Sequence, residues 1–209
     1  AVIYKRMGKL PEALNLYNQA LGLAIENNDI VLQQYALSGK GIIYKELKQY
    51  ENALSTYEKS LDLAYQAKDK ISIADNYANI ATAYLDQGQK EKALIFNKKV
   101  IKIREESGDI GLYYAIAINN TGVNFFEMNK LDSAEHYFLR ASRIYEEIND
   151  AYGIADIKVN LGLVKLKQGY PNEARRLWSK GISEARNYGI IEIVVDFFSE
   201  VSEVYSDLE

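Results

Sequence analysis

The sequence predicts an all-α protein, a solenoid of antiparallel helix hairpins, on three observations. An alanine recurs at Ala13, Ala53, Ala93, Ala134 and Ala174, at spacings of 40, 40, 41 and 40 residues. Five residues before each stands Gly8, Lys48, Gly88, Asn129 or Gly169. Gly and Asn tolerate the left-handed conformation that ends a helix, so this is a turn position. Between these marks apolar residues fall at helical spacing, as in Ile73, Tyr77, Ile80 and Tyr84, and strand-like alternation is nowhere sustained.

The elements follow from this punctuation. First helices are expected over 30–47, 70–87, 110–128, 151–168 and 190–207, and second helices over 10–27, 50–67, 90–107, 131–148 and 171–187. Each unit closes on a polar pair: Asn28-Asp29, Lys68-Asp69, Gly108-Asp109 and Asn149-Asp150, with Tyr188-Gly189 closing the fifth. Asp is a good N-cap for the helix that follows. Twelve residues before each alanine of copies two to five lies a small residue, Gly41, Ala81, Gly122 or Gly162. Four residues after the alanine lies a large one, Tyr17, Tyr57, Phe138 or Trp178, with Asn97 as the exception. Small residues facing large ones describe two helices in close contact. One hairpin is too thin to bury its apolar face, so the copies are expected to stack into a single array over 1–209, with no linker and no second domain.

Composition removes whole classes of function. There is no cysteine among the 209 residues and a single histidine, His136. Disulfides, thiolate sites and any site needing two imidazoles are excluded, and no metal or cofactor is expected. The formal net charge of −4 argues against nucleic acid and against an anionic membrane surface as partners. Glycines stand singly, so there is no phosphate loop. His136 stands beside Glu135 with no nucleophile, acid and base around it, which points to a surface residue and no enzyme. The charged runs Lys98-Lys99, Arg104-Glu105-Glu106 and Glu146-Glu147 are expected on a solvated convex face.

The small residue, the aromatic three positions later (Tyr44, Tyr84, Phe125, with Lys165 departing), the central alanine and the following large residue resemble the tetratricopeptide repeat. The resemblance covers almost the whole chain, as copies over about 1–29 (partial), 30–69, 70–109, 110–150, 151–189 and 190–209 (first helix only). It implies a right-handed superhelix. The repeats are longer than the common form of about 34 residues. They look like those of bacterial sensor kinases and transcriptional regulators, and similar long repeats occur in kinesin light chains and cell-polarity scaffolds. The Asp-closed repeat ends favour the bacterial regulators. A chain that starts inside a helix without Met and stops on Val194, Val195, Phe197 and Phe198 reads as a fragment of a larger protein. Leu208-Glu209 reads as a cloning scar, and a homodimer through the cut ends is a further expectation. The compartment is left open, with the cytoplasm favoured, or the periplasm if the parent is a membrane sensor.

In this family the first helices line a concave groove that takes an extended peptide or a partner helix. The position two residues before the small one reads Gly39, Asn79, Asn120, Asn160 and Glu200. An Asn side chain both donates and accepts, so Asn79, Asn120 and Asn160 are candidates to hold a peptide backbone. Equally, they could bond within the array and set its register. Neighbouring candidates are Tyr35, Ser38, Ile42 and Lys45, then Asp75, Ala78, Thr82 and Leu85, then Ile116, Asn119, Val123 and Phe126, then Asp156, Val159, Leu163 and Leu166. The groove so drawn is apolar towards copies four and five with acidic edges, and suits a hydrophobic partner of some basic character. Lys45 alone makes a weak clamp for a terminal carboxylate. The expected function is therefore a non-catalytic protein- or peptide-binding module, the sensing or docking region of a bacterial signalling or regulatory protein. The alternative is a scaffold or assembly adaptor without switching.

Overall fold

A computed structural model describes residues 8–189. Among them are nine helices and no strand. They are α1 (Leu10–Glu26), α2 (Ile30–Glu46), α3 (Tyr50–Gln66), α4 (Lys70–Asp86), α5 (Lys90–Ser107), α6 (Leu112–Glu127), α7 (Leu131–Glu147), α8 (Ala151–Lys167) and α9 (Pro171–Asn187). Each lies within two residues of its expected bounds. The helix expected at 190–207, the start of copy one and Glu200 fall outside the described residues. The chain divides into two compact units, Ala1–Gly108 and Asp109–Glu209. In the first, α2 pairs with α3 and α4 with α5 as hairpins, while α1 lies on α2, α3 on α4, and α2 also touches α4. In the second, α6 pairs with α7 and α8 with α9, α7 lies on α8, and α6 also touches α8. This is the all-α, stacked-hairpin architecture of a repeat solenoid.

The turns carry the period. Gly8, Lys48, Gly88, Asn129 and Gly169 all have positive φ, and so do Asn28, Lys68, Gly108, Asn149 and Gly189 at the other ends of the hairpins. After Asn28, Lys48, Lys68, Gly88, Asn129, Asn149 and Gly169 the next N–H bonds back to a carbonyl of the last helical turn, as Gln49 N does to Tyr44 O at 2.8 Å and Asp69 N to Ala64 O at 3.0 Å. That pattern closes the helix and reverses the chain. Lys48 and Lys68 hold this conformation despite their Cβ, at φ 57° and 53°.

Asp29, Asp69 and Asp150 cap α2, α4 and α8 by accepting from backbone N–H groups of the first turn. The fourth copy departs. Its first helix has Gly111 as its N-cap, with no side chain capping from that position. The residue inserted in this copy explains the change: Gly108 to Asn129 is 21 positions, where Asn28 to Lys48, Lys68 to Gly88 and Asn149 to Gly169 are each 20. The extra residue is absorbed in the lead-in Asp109-Ile110-Gly111.

The small–large rule holds at atomic contact. A Cβ on Gly41 would collide with the Tyr57 ring and one on Gly162 with the Trp178 ring, while one on Gly122 would sit 2.6 Å from Phe138 Cδ1. The recurrent alanines Ala13, Ala53, Ala93, Ala134 and Ala174 are each fully buried, which leaves no room for a larger side chain. In copy three the two positions are Ala81 and Asn97, both buried. A methyl under a medium side chain there replaces a bare backbone under a ring.

Two predictions follow from these contacts. Gly162→Ala drives a methyl into the Trp178 indole, whose Nε1 donates to Val159 O at 3.1 Å. It should lower stability by about 1–3 kcal/mol, read from the urea midpoint. Asp69→Ala removes a cap and should cost about 1 kcal/mol at neutral pH. The hydrogen bond from the Ser72 hydroxyl, helped by the Ser72 and Ile71 N–H groups, holds the Asp69 carboxyl below its ordinary value of 3.8 against a smaller opposing effect of burial. The cap therefore stabilises fully above that value. Its contribution is lost as the pH falls through the lowered folded value, so wild type and variant should converge in acid unfolding below about pH 4.

Candidate peptide-binding faces

In the first unit the face is made by α2 and α4. Asn79 lies half-buried on α4, two residues before Ala81, and its side chain has no hydrogen-bond partner among the described residues. The equivalent position on α2 is Gly39, over which the buried Tyr17 ring lies so closely that a Cβ would collide with it. Tyr35, one turn earlier, leans on the same ring with centroids 6.2 Å apart and is 57% exposed. Burial, with a smaller effect of Tyr35, raises the Tyr17 hydroxyl above its ordinary pKa. Ser38 is tied inward, to the Ser60 hydroxyl at 3.1 Å and to Asn76 Oδ1 at 3.4 Å.

Lys45 donates to Asp86 at 2.8 Å, an ion pair that joins α2 to α4. Asp75 accepts from Arg104 of α5. Thr82 Oγ1 donates to Ala78 O at 2.9 Å and is thereby turned onto its own helix.

In the second unit the face is made by α6 and α8. Asn120 is half-buried, and like Asn79 its side chain has no hydrogen-bond partner among the described residues. Asn119, Asp156 and Asn160 come together: Asn119 Nδ2 donates to Asp156 at 3.0 Å, and Asn160 Nδ2 lies 3.4 Å from both Asn119 Oδ1 and Asp156 Oδ2. Phe126 is half-buried against the local core, with Lys167 Nζ 4.4 Å from its ring centroid.

The structure thus sorts the sequence candidates. Asn79 and Asn120 present amides with no hydrogen-bond partner among the described residues, and Tyr35 presents an exposed ring against Tyr17. Lys45, Asp75, Asn119, Asp156 and Asn160 cross-link helices. Val159, Leu163 and Leu166, expected to line the groove, are buried in a core with Ala155, Ala174, Ala185 and Trp178. They stand on the side of α8 turned to α9, which a strip of apolar residues at helical spacing does not distinguish from an apolar groove wall.

Arg104 is a second correction. Expected on the convex face, it is 2% exposed and bonds Asp75. It takes the inward position that Ala24, Ala64, Tyr145 and Ala185 fill in the other copies, so the repeat alignment, not its charge, was the signal. Lys165, the departure from the aromatic position, pairs with Glu135 at 2.7 Å, and Gln168 donates to the same carboxylate at 3.1 Å. Burial raises the Glu135 pKa, yet the bonds from Lys165 and Gln168 outweigh it, so the carboxyl stays below its ordinary range. Lys98, Lys99, Glu105, Glu106, Glu146 and Glu147 are exposed as expected, and so is His136. Among the described residues no three His, Asp or Glu side chains are placed to hold a metal ion, and no helix is long and apolar enough to cross a membrane.

Comparison with known proteins bears on these faces. The tetratricopeptide repeat family matches residues 33–106. Residues 33–106 carry tetratricopeptide repeats. It is similar to the regulatory protein RapG of Bacillus subtilis (strain 168), with 29% identity over 106 residues. That match spans 51% of this chain and 29% of RapG. Among solved structures, BtubC (BKLC) from P. vanneervenii has a TM-score of 0.77 at 20% identity, over 89% of this chain and 77% of its own. A Rap protein solved in complex with competence and sporulation factor has a TM-score of 0.81 at 19% identity, over 94% of this chain and 55% of its own. The two structural likenesses establish the fold.

The Asp75–Arg104 pair yields a prediction. Asp75→Asn removes the carboxylate that the buried Arg104 guanidinium bonds on α4. Because the Asp75 side chain is 53% exposed, the cost should be about 1–3 kcal/mol, below that of a wholly buried pair. Adding Arg104→Met should restore most of it, and the double-mutant cycle by urea unfolding measures the coupling.

Proposed function

We propose that this chain is a non-catalytic docking module, and that its first-helix faces hold an extended peptide or partner segment. The observation that carries this reading is the pair of half-buried amides at Asn79 and Asn120. They occupy the same repeat position in different units, and neither has a hydrogen-bond partner among the described residues. A half-buried amide that bonds nothing among the described residues sets no register there, and each can donate to and accept from a peptide backbone. Asn160, which bonds Asn119 and Asp156, acts chiefly as a register device on this reading. The similarity to RapG supports a regulatory setting, and the Rap complex with competence and sporulation factor supports a peptide as ligand. On this basis the chain is the sensing or docking region of a bacterial signalling or transcription-regulatory protein, and its copies form one array.

The test is capture from native lysate by the chain and by Asn79→Ala, Asn120→Ala and the double variant, each first shown to melt like wild type. Segments of the captured partner are then titrated as synthetic peptides. Each substitution should weaken the peptide it faces by about tenfold, the loss of one or two hydrogen bonds. Unchanged affinity in the double variant would move binding off these faces.

A further inference from the structure

We propose that the solvent face of α9 is a docking strip for an acidic segment of a protein partner. The inference concerns a surface other than the faces of Asn79 and Asn120 and does not depend on them.

On the other second helices the outward cations are engaged within the chain. On α5, Lys92 lies over the Tyr84 ring, Lys99 over the Tyr77 and Phe96 rings, and Lys102 stands 3.8 Å from Glu106. On α7, Arg140 lies over the Tyr114 ring, and Glu135 pairs with Lys165. Copy five departs at the matching positions. Arg175 stands where copy four has Glu135, Arg176 where it has His136, and Lys180 where it has Arg140. All three are exposed, and none has an ion pair or a ring contact among the described residues. Of the two carboxylates on α9, Glu184 is taken by Lys158 of α8, and Glu173 stands in the first turn. Arg176 and Lys180 are one turn apart, and like charges at that spacing oppose the helix. An anionic partner removes that repulsion.

The strip has a shape. At 3.6 residues per turn, Asn172, Arg175, Arg176, Ser179, Lys180 and Ser183 lie on the side of α9 opposite the buried Ala174, Trp178, Gly181 and Ala185. Among the described residues they line a shallow concavity of about 480 Å³. A second concavity of about 360 Å³ shares Ser179 and Ser183 and continues to Arg186 and Asn187, with the partly buried Ile182 in its wall. From Asn172 to Asn187 the strip is about 22 Å long. Four cations line it and no carboxylate does.

Length and spacing choose the occupant. Arg176, Lys180 and Arg186 are about 6 and 9 Å apart along the helix axis. Alternate side chains of an extended segment recur every ~6.6 Å, so about seven residues cover the strip and bring three or four carboxylates to it. A single anion would meet only part of this row. A nucleic-acid duplex, with one charge per ~1.7 Å, needs a longer basic track. The other second helix of the unit, α7, exposes Asp132, Glu146 and Glu147 instead of continuing one. A short polypeptide rich in Asp or Glu is therefore the complement.

The test uses labelled decapeptides of Gly and Ser in which every second residue is Glu, Gln or Lys, and a short DNA duplex of random sequence. Fluorescence anisotropy is read on the chain and on three variants, each shown to be fully folded at the assay temperature. One carries Arg175→Gln, Arg176→Gln and Lys180→Gln. The second carries Lys98→Gln, Lys99→Gln and Lys102→Gln, which removes the same charge from α5. The third carries Asn79→Ala and Asn120→Ala. The Glu peptide should bind at least tenfold tighter than the Gln peptide, with the Lys peptide weakest. The α9 variant should erase this preference, and the other two should change it less than threefold. Equal binding of the Glu and Gln peptides, or a Glu preference that survives in the α9 variant, overturns the strip. An equal loss in the α5 variant reduces the effect to net charge and overturns it too. A loss confined to the Asn79 and Asn120 variant places the peptide on the first-helix faces, which overturns the strip and supports the docking reading. A duplex that binds tighter than the Glu peptide and is lost in the α9 variant makes the occupant a nucleic acid and overturns the proposal.

Discussion

Three of the four hairpins among the described residues depend on one steric constraint, a small residue on a first helix lying under a large side chain of the second. Gly41 under Tyr57, Gly122 under Phe138 and Gly162 under Trp178 bring backbone against ring with no methyl to spare. The approach buries the ring and lets the central alanine of each second helix close on its neighbour. From that contact follow the antiparallel pairing, the turn length and the need for a residue that tolerates positive φ at each end. Where copy three substitutes Ala81 and Asn97, both positions change together, as a shared volume requires.

Between copies, glycine-under-ring contacts (Gly39 with Tyr17, Gly153 with Tyr145) are joined by polar ones. The joint of copies two and three runs through the polar junction of Ser38, Ser60 and Asn76 and the pair Lys45–Asp86. That of copies four and five runs through Asn119, Asp156 and Asn160, and through Lys165 with Glu135. Directional bonds of this sort specify register more than they stabilise. They also decide which polar side chains remain for a ligand. An amide that bonds its neighbour is spent on register, and the one a residue away is left to the surface, as Asn119 and Asn120 illustrate.

Some of this was legible and some was not, for physical reasons. The turn positions could be read because positive φ is a local demand that Gly and Asn meet, and Lys48 and Lys68 could be placed by period alone. The late start of α6 could not be placed, since the 41-residue spacing reveals an inserted residue without its position. Arg104 was misread because charge predicts exposure on average, while its repeat position points inward, where it bonds Asp75. Val159, Leu163 and Leu166 were misread because a first helix is apolar towards its own hairpin, and periodicity alone does not say which face is turned to solvent.

The sequence by itself determined the repeat, its helices, its caps and its small–large contacts, because each of these arises from residues within one copy or at a fixed offset from it. The absence of cysteine removed thiol chemistry. Only the tertiary structure decided which of the candidate groups are spent within the chain. That outcome depends on side chains from helices 22 to 41 residues apart meeting at hydrogen-bond distance, as Ser38 meets Ser60 and Asn119 meets Asn160. Such meetings are set by the angle at which one copy lies on the next, which no period in the chain encodes.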